Sequence, residues 1–319
     1  MKQNNMKRIL YIVALALLGT TLAMGQGSPL PLLEGNTSAR TLALGKVHGA
    51  GAKDMYLYTN PTAFLANGAT FQVDGNIEIF PKLEFGRELQ YTLSGAWSFA
   101  PSHALFVGGR YSGGLKIEVE GMPGEKVESS FRPYSLSADL GYAYAVEHWG
   151  LFAKGSYHRT ALQIEAETYL FGAGVSYLNQ YTLFGKGVEY GLHAIIDGVG
   201  APLRYRASND SYTIQPTLEL STDQTLSLAE KHQLTLILGA RGTLKEGPAN
   251  YRAAGVGLEY SYNQLLDLRL GYDYHTLRDH SLGFGIGGKL YGVHLDLGYQ
   301  LGFRTYSANT LMVTAGYAF

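Results

Sequence analysis

The chain contains no cysteine. That excludes disulfides, thiolate metal sites and lipidation of a processed N-terminal cysteine. Charge is also scarce, at 16% of 319 residues, and nearly balanced at a net −1, which offers no basis for nucleic-acid binding. Beyond the first 25 residues, no apolar run approaches the roughly 20 residues that a membrane-spanning helix needs. HExxH pairs, nucleophile elbows and phosphate-binding loops are all missing. No catalytic residue, metal site or cofactor is therefore assigned, and no enzyme activity is expected.

What the chain does have is glycine (41 residues) and tyrosine (24), a combination suited to twisted, closely spaced strands and interfacial aromatic girdles. Residues 1–25 read as a secretory signal peptide. Lys2, Lys7 and Arg8 precede an apolar stretch from Ile9 to Leu22, and Ala23-Met24-Gly25 offers small residues for cleavage before Gln26. At the other end, Leu311, Val313, Ala315, Tyr317 and Phe319 alternate with Thr310, Met312, Thr314, Gly316 and Ala318. A closing strand with one apolar face, Tyr317 third from the end and a final Phe319 resembles the signal read by the outer-membrane barrel assembly machinery. An ordinary edge strand is the plainer alternative.

From about residue 69 the chain repeats alternating segments of roughly ten residues, long enough when tilted to cross the apolar band of a bilayer. Leu266–His275 is the clearest. It sets Leu266, Leu268, Leu270, Tyr272 and Tyr274 against Asp267, Arg269, Gly271, Asp273 and His275. Fourteen strands are predicted, near 70–80, 87–99, 103–117, 133–145, 149–158, 167–178, 186–196, 212–221, 232–242, 252–262, 266–275, 281–289, 291–301 and 310–319. The fold class expected is an all-β, antiparallel transmembrane barrel occupying 69–319 and contacting outer-membrane lipid. Its periplasmic connections are mostly tight and its outward ones longer; a long connection near 222–231 is the exception. A lumen of fourteen strands is wide enough to need filling. Residues 26–68 fit no barrel strand, and their apolar content argues for a packed N-terminal hatch rather than a loose tail.

Within that segment, Ser38-Ala39-Arg40, Ala43-Leu44-Gly45, Asp54 and Asn60-Pro61-Thr62-Ala63 resemble the N-terminal signature of the PorV/PorQ family. These are outer-membrane proteins associated with type IX secretion, within the FadL-like barrel superfamily. Lys46-Val47-His48 and Thr62 depart from its usual small residues. The resemblance implies a non-enzymatic partner or shuttle in protein secretion and cell-surface attachment, working with secretion-system proteins or secreted cargo. The alternative it leaves open is a FadL-like channel for hydrophobic small molecules.

The hatch candidates are Arg40, Gly45, Asp54, Asn60 and Pro61. Pro61 fixes its own backbone, and Asn60 can hold a turn through its side chain. Arg40 has the donor geometry to pair with lumen carboxylates. Glu259, Asp267, Arg269 and Arg241 fall on the inner face, as compensating charges or as the lining of a conduction path. Gly113-Gly114 interrupts the third strand, as a bulge or as a lateral opening of the kind FadL-like transporters use. His275 and His280, flanking Asp279, could bind a metal, but read more simply as a solvated loop. The charged stretch from Glu118 to Arg132 is an outward loop with the character of a docking surface.

Overall fold

The computed structural model describes residues 30–84, 86–119, 129–161, 164–183, 185–206, 210–245, 250–303 and 309–319. The signal-peptide reading and the charged centre of the Glu118–Arg132 loop lie outside them. Fourteen long antiparallel strands close into one barrel: β1 (Phe71–Leu83), β2 (Gly86–Ala100), β3 (His103–Leu115), β4 (Tyr134–Val146), β5 (Trp149–Ala161), β6 (Glu165–Leu183), β7 (Lys186–Gly200), β8 (Thr217–Ala229), β9 (His232–Thr243), β10 (Arg252–Tyr262), β11 (Leu266–His275), β12 (Ser281–Leu290), β13 (Val293–Gly302) and β14 (Thr310–Ala318). Closure is made by β1 against β14, with Val73 opposite Tyr317 and Ile79 opposite Leu311.

The two-residue alternation decides which side chains meet lipid. Leu93, Leu140, Phe171, Leu268 and Leu295 stand exposed on the outside, while Glu78, Asp139, Glu259 and Thr314 are buried inside. An apolar exterior around a polar interior is the inverse of a soluble fold and belongs in a membrane. The protein is an outer-membrane barrel. Phe319 packs on Phe71 at a ring separation of 5.2 Å, and its carbonyl accepts from the amides of Thr70 and Phe71.

Among the described residues, one rim carries only tight turns, and several are built from residues with left-handed backbone. Asn263 and Gln264 both have positive φ, as do Tyr291 and Gly292, the requirement of a two-residue hairpin whose twist matches its strands. The eighth strand differs from the expectation of 212–221. It runs over Thr217–Ala229, and the long connection near 222–231 shrinks to a turn. Outward-facing Thr222 and Gln224 break the apolar alternation there, so the stretch mimics a loop in sequence. In the barrel it holds register between β7 and β9, with Asp223 opposite Gly191 and Ile237.

Residues 30–68 lie inside the barrel and include three short helices: α1 (Pro31–Glu34), α2 (Ala39–Ala43) and α3 (Pro61–Ala66). Ser38 and Thr41 form a reciprocal capping box at the start of α2. Asn60 caps α3, with Pro61 at its first position. The hatch packs Met55, Tyr56, Leu57 and Phe64 against Ala96, Phe106, Ala143 and Phe152 near the tight-turn rim. Leu30 sits toward the opposite rim with Ala166, Leu170 and Leu203.

Candidate functional site: the hatch and its seat in the lumen

Glu259 is the hub of the fastening. It is fully buried and receives Arg40 Nε at 2.8 Å, Arg269 Nε at 2.6 Å and Lys53 Nζ at 2.8 Å. Arg269 also reaches Asp267 at 2.8 Å and pairs with Asp296. Two buried guanidiniums converge on one carboxylate, and Asp267 and Asp296 share the second of them, Arg269. Arg241 stands apart from this hub. It pairs with Asp273 at 3.1 Å and donates to the carbonyl of Lys46 in the hatch.

Asn60 forms the second fastening. Its Oδ1 accepts from the amide of Thr62 at 3.1 Å and from the Thr62 hydroxyl at 2.7 Å. Its Nδ2 lies 3.1 Å from the carbonyl of Gly49, 3.1 Å from Ser176 Oγ and 3.0 Å from His193 Nδ1. One side chain thus joins two parts of the hatch to β6 and β7. His193 is held in turn by Asp223 at 2.8 Å.

Asp54 is buried in the hatch near Asp74, His294 and Asp296 on the wall. Burial, then the charges of Asp296 and Asp74, push its carboxyl up to about 6.

Gly45 explains itself by contact as well as by conformation. Its φ is +71°, and a Cβ would lie within 3.0 Å of the carbonyls of Tyr272 and Val256. The wall facing it is also glycine. Gly257 stands opposite Gly271, and Gly271 opposite Gly283. A Cβ on Gly255, Gly257, Gly271, Gly283 or Gly298 would come closer than 3.0 Å to hatch backbone between Ala39 and Gly45. This glycine seat is missed by a reading that assigns glycine to strand twist. The signal was available, because these residues share the inward parity of Asp267, Arg269 and Asp273.

Two further fastenings went unread. Glu219 accepts from His48 Nδ1 at 2.9 Å and from the amides of His48 and Gly49. Arg110 lies 4.7 Å over the ring of Tyr58, whose hydroxyl donates to Asp139 at 2.8 Å.

At Gly113-Gly114, β2 and β3 lose register between Gly86 and Leu89, and Gly114 has a φ of +112°. The ladder continues on either side, so the geometry here is a bulge at the outward end of the strand pair. His275 Nδ1 faces the amides of Leu277 and Arg278 at 3.1 and 3.2 Å, and its ring stacks on Tyr251. That nitrogen is occupied by the turn.

A small cavity of about 90 Å³ remains against the hatch. Its lining mixes Leu33, Tyr58 and Ile195 with Lys46, Arg110 and Arg241 and with the carboxylates of Asp197 and Glu219. Sites for small organic ligands usually measure about 300–1,000 Å³, so this cavity falls below that range as it stands.

No protein-family model matches the chain, and no curated protein is detectably similar to it. Solved structures are similar in fold. The toluene transporter TodX of Pseudomonas putida superposes with a TM-score of 0.59 at 13% identity, covering 88% of this chain and 98% of that one. The toluene transporter TbuX of Ralstonia pickettii gives 0.57 at 13% identity, covering 88% and 97%. A Pseudomonas aeruginosa FadL homologue gives 0.50 at 10% identity, covering 89% and 98%. At these identities the likeness speaks for fold alone, and the PorV/PorQ branch in particular gains no support from it. The fold is that of the FadL-like outer-membrane barrels.

Proposed function

We propose that the protein is a hatch-gated channel of the outer membrane that admits small molecules with a hydrophobic body. The observation that carries this reading is a closed barrel whose lumen is occupied by a segment of its own chain, against a cavity smaller than the usual ligand site until that segment moves. The neighbours in fold include toluene transporters, and the cavity lining combines apolar side chains with ion-paired cations and the carboxylates of Asp197 and Glu219. The reading therefore covers solutes that carry a polar group beside an apolar ring or chain. Entry requires the hatch to shift, and Asn60 is a fastening point that such a shift must release.

Uptake of labelled toluene and labelled benzoate by a deletion strain, compared with strains carrying the wild type or Asn60→Ala, tests this. Deletion should lower uptake and the wild type should restore it. Asn60→Ala should alter the rate while barrel assembly stays normal. Equal uptake of both solutes in all three strains would refute the channel.

A second reading rests on the Ser38-Ala39-Arg40 and Asn60-Pro61 motifs together with the ion-paired plug. It is the PorV/PorQ-type partner in secretion. Such a partner needs a sealed lumen and outward loops for docking rather than a path. Normal surface delivery of exported proteins in the deletion strain would remove it.

A further inference from the structure

We infer that Asp54, His294 and Asp296 form a site for one divalent transition-metal ion that staples the hatch to the barrel wall, with Asp74 beside it. Among the described residues, one ligand atom from each of the three lies within 4.8 Å of the others. Two independent features point to a ligand. Asp54 is 2% exposed, yet its Oδ2 has no hydrogen-bond partner; His294 is 9% exposed, and its Nε2 makes no hydrogen bond, with Asp74 Oδ1 3.5 Å away. A buried carboxylate oxygen with no partner is costly, and it lies in one place with a buried imidazole nitrogen whose carboxylate neighbour makes no hydrogen bond to it.

The charge balance is equally one-sided. Asp54, Asp74 and Asp296 converge, and among the described residues the groups paired with them are His294, beside Asp74, and Arg269 on Asp296, which Glu259 and Asp267 also engage. Asp74 already accepts from the amide of Met55 at 2.7 Å and from Gln72 at 2.8 Å. That suits a flanking role and leaves Asp54, Asp296 and His294 as ligands.

The wall makes room for these side chains. A Cβ on Gly316 would collide with Asp74 Oδ1 and His294 Cε1, and one on Gly287 with Asp296 Oδ1. Glycine at both positions lets the carboxylates and the imidazole crowd to one point. One imidazole nitrogen with carboxylate oxygens is a donor set for Zn²⁺ or Mn²⁺. Ligands about 2.1 Å from such an ion stand at most about 4.2 Å apart, a separation reached by small side-chain rotations.

The ligands come from two places. Asp54 belongs to the hatch, and His294 and Asp296 belong to β13 near the tight-turn rim. A bound ion would hold the hatch to the barrel at the periplasmic side, whatever the barrel passes.

The test uses the full mature chain refolded in detergent, stripped with EDTA and titrated calorimetrically with Mn²⁺ and with Zn²⁺, bound metal being counted by mass spectrometry. The wild type should take up one equivalent of at least one ion. Asp54→Asn and His294→Gln should weaken it by more than the about 10–100-fold that changes outside the ligand shell cost. Asp197→Asn, whose residue pairs with Lys154 elsewhere in the lumen, should titrate as wild type. Heat-modifiable migration in gels verifies that each variant is a folded barrel. Hydrogen exchange across residues 52–60 should slow when the ion is added to the wild type and not in Asp54→Asn. Absence of stoichiometric uptake of either ion, or uptake that Asp54→Asn and His294→Gln retain in full, would overturn the site. Neither outcome bears on solute uptake, so the channel and the metal site fail separately.

Discussion

On the wall formed by β10 to β13, the hatch lies backbone against backbone, whereas on the wall formed by β3 to β5 it makes contact through side chains. Gly255, Gly271, Gly283 and Gly298 on the first wall face the main chain of Ala39 to Gly45. Gly108, Gly141 and Gly150 on the second face the side chains of Tyr58, Leu57 and Thr62. Both walls use glycine at inward positions, but the tolerances differ. Main chain cannot rotate away from an added methyl group, while the end of a leucine can. The first wall is a rigid seat and the second a packed, adjustable one. The ion-pair hub at Glu259 lies on the rigid side, within β10, and the aromatic contact of Phe64 with Phe106 lies on the adjustable side at 5.8 Å. A hatch that opens by steps has reason to release the adjustable wall first and pivot on the other.

The sharpest way to break this contrast is a methyl group on the rigid seat. Gly255→Ala places a Cβ within 3.0 Å of the carbonyl of Gly45 and of the Val47 side chain. Alanine in a strand regains about 0.5–1 kcal/mol over glycine, but overpacking costs about 1–3 kcal/mol even where side chains can adjust. Main chain on the other side puts the cost at the upper end of that range, so the net should be about 2 kcal/mol against the seated hatch. Hydrogen exchange should lose protection across residues 39–47, and single-channel current in planar bilayers should rise. Unchanged protection would show that the seat is loose.

Comparable in size is Glu259→Gln. It leaves Arg40 and Arg269 buried without their shared carboxylate, a loss of the kind that costs about 3–5 kcal/mol when one partner of a buried pair is removed. Asp267 and Asp296 still hold Arg269, so the measured loss should fall at or below the lower end of that range. Protection of the α2 amides reads it directly. Wild-type protection there would mean that Arg40 is held by packing alone.

The barrel was legible because the period-2 alternation and the turn residues report the same thing twice. In Leu266–His275 the expected and observed faces coincide residue for residue. The eighth strand was misplaced where Thr222 and Gln224 face outward and interrupt that alternation near the rim. The hatch residues were legible as a motif, yet their partners were not. Nothing local in the chain ties Arg40 to Glu259, 219 residues away, or Asn60 to His193, 133 residues away. Barrel register brings such pairs together, and register depends on every turn before it. The glycine seat was hidden for another reason: glycine has no side chain to announce a partner, and only its inward parity marks it.

The smallest effect, and the one that sharpens the comparison most, belongs to Gly141→Ala on the adjustable wall. The added Cβ would sit 2.7 Å from Leu57 Cδ1, with Phe106 Cβ at 3.4 Å and the carbonyl of Ala153 at 3.7 Å. The close contact is therefore with one methyl at the tip of a leucine, which a change of rotamer moves away. Repacking of that kind lies at or below about 1 kcal/mol, the low end of overpacking, and the strand gains about 0.5–1 kcal/mol from replacing glycine. The two terms nearly cancel. Hatch protection and single-channel current should stay close to wild type, in contrast to Gly255→Ala. If Gly141→Ala instead expels the hatch as strongly as Gly255→Ala, the two walls are equally rigid and a stepwise release starting from β3 to β5 is wrong.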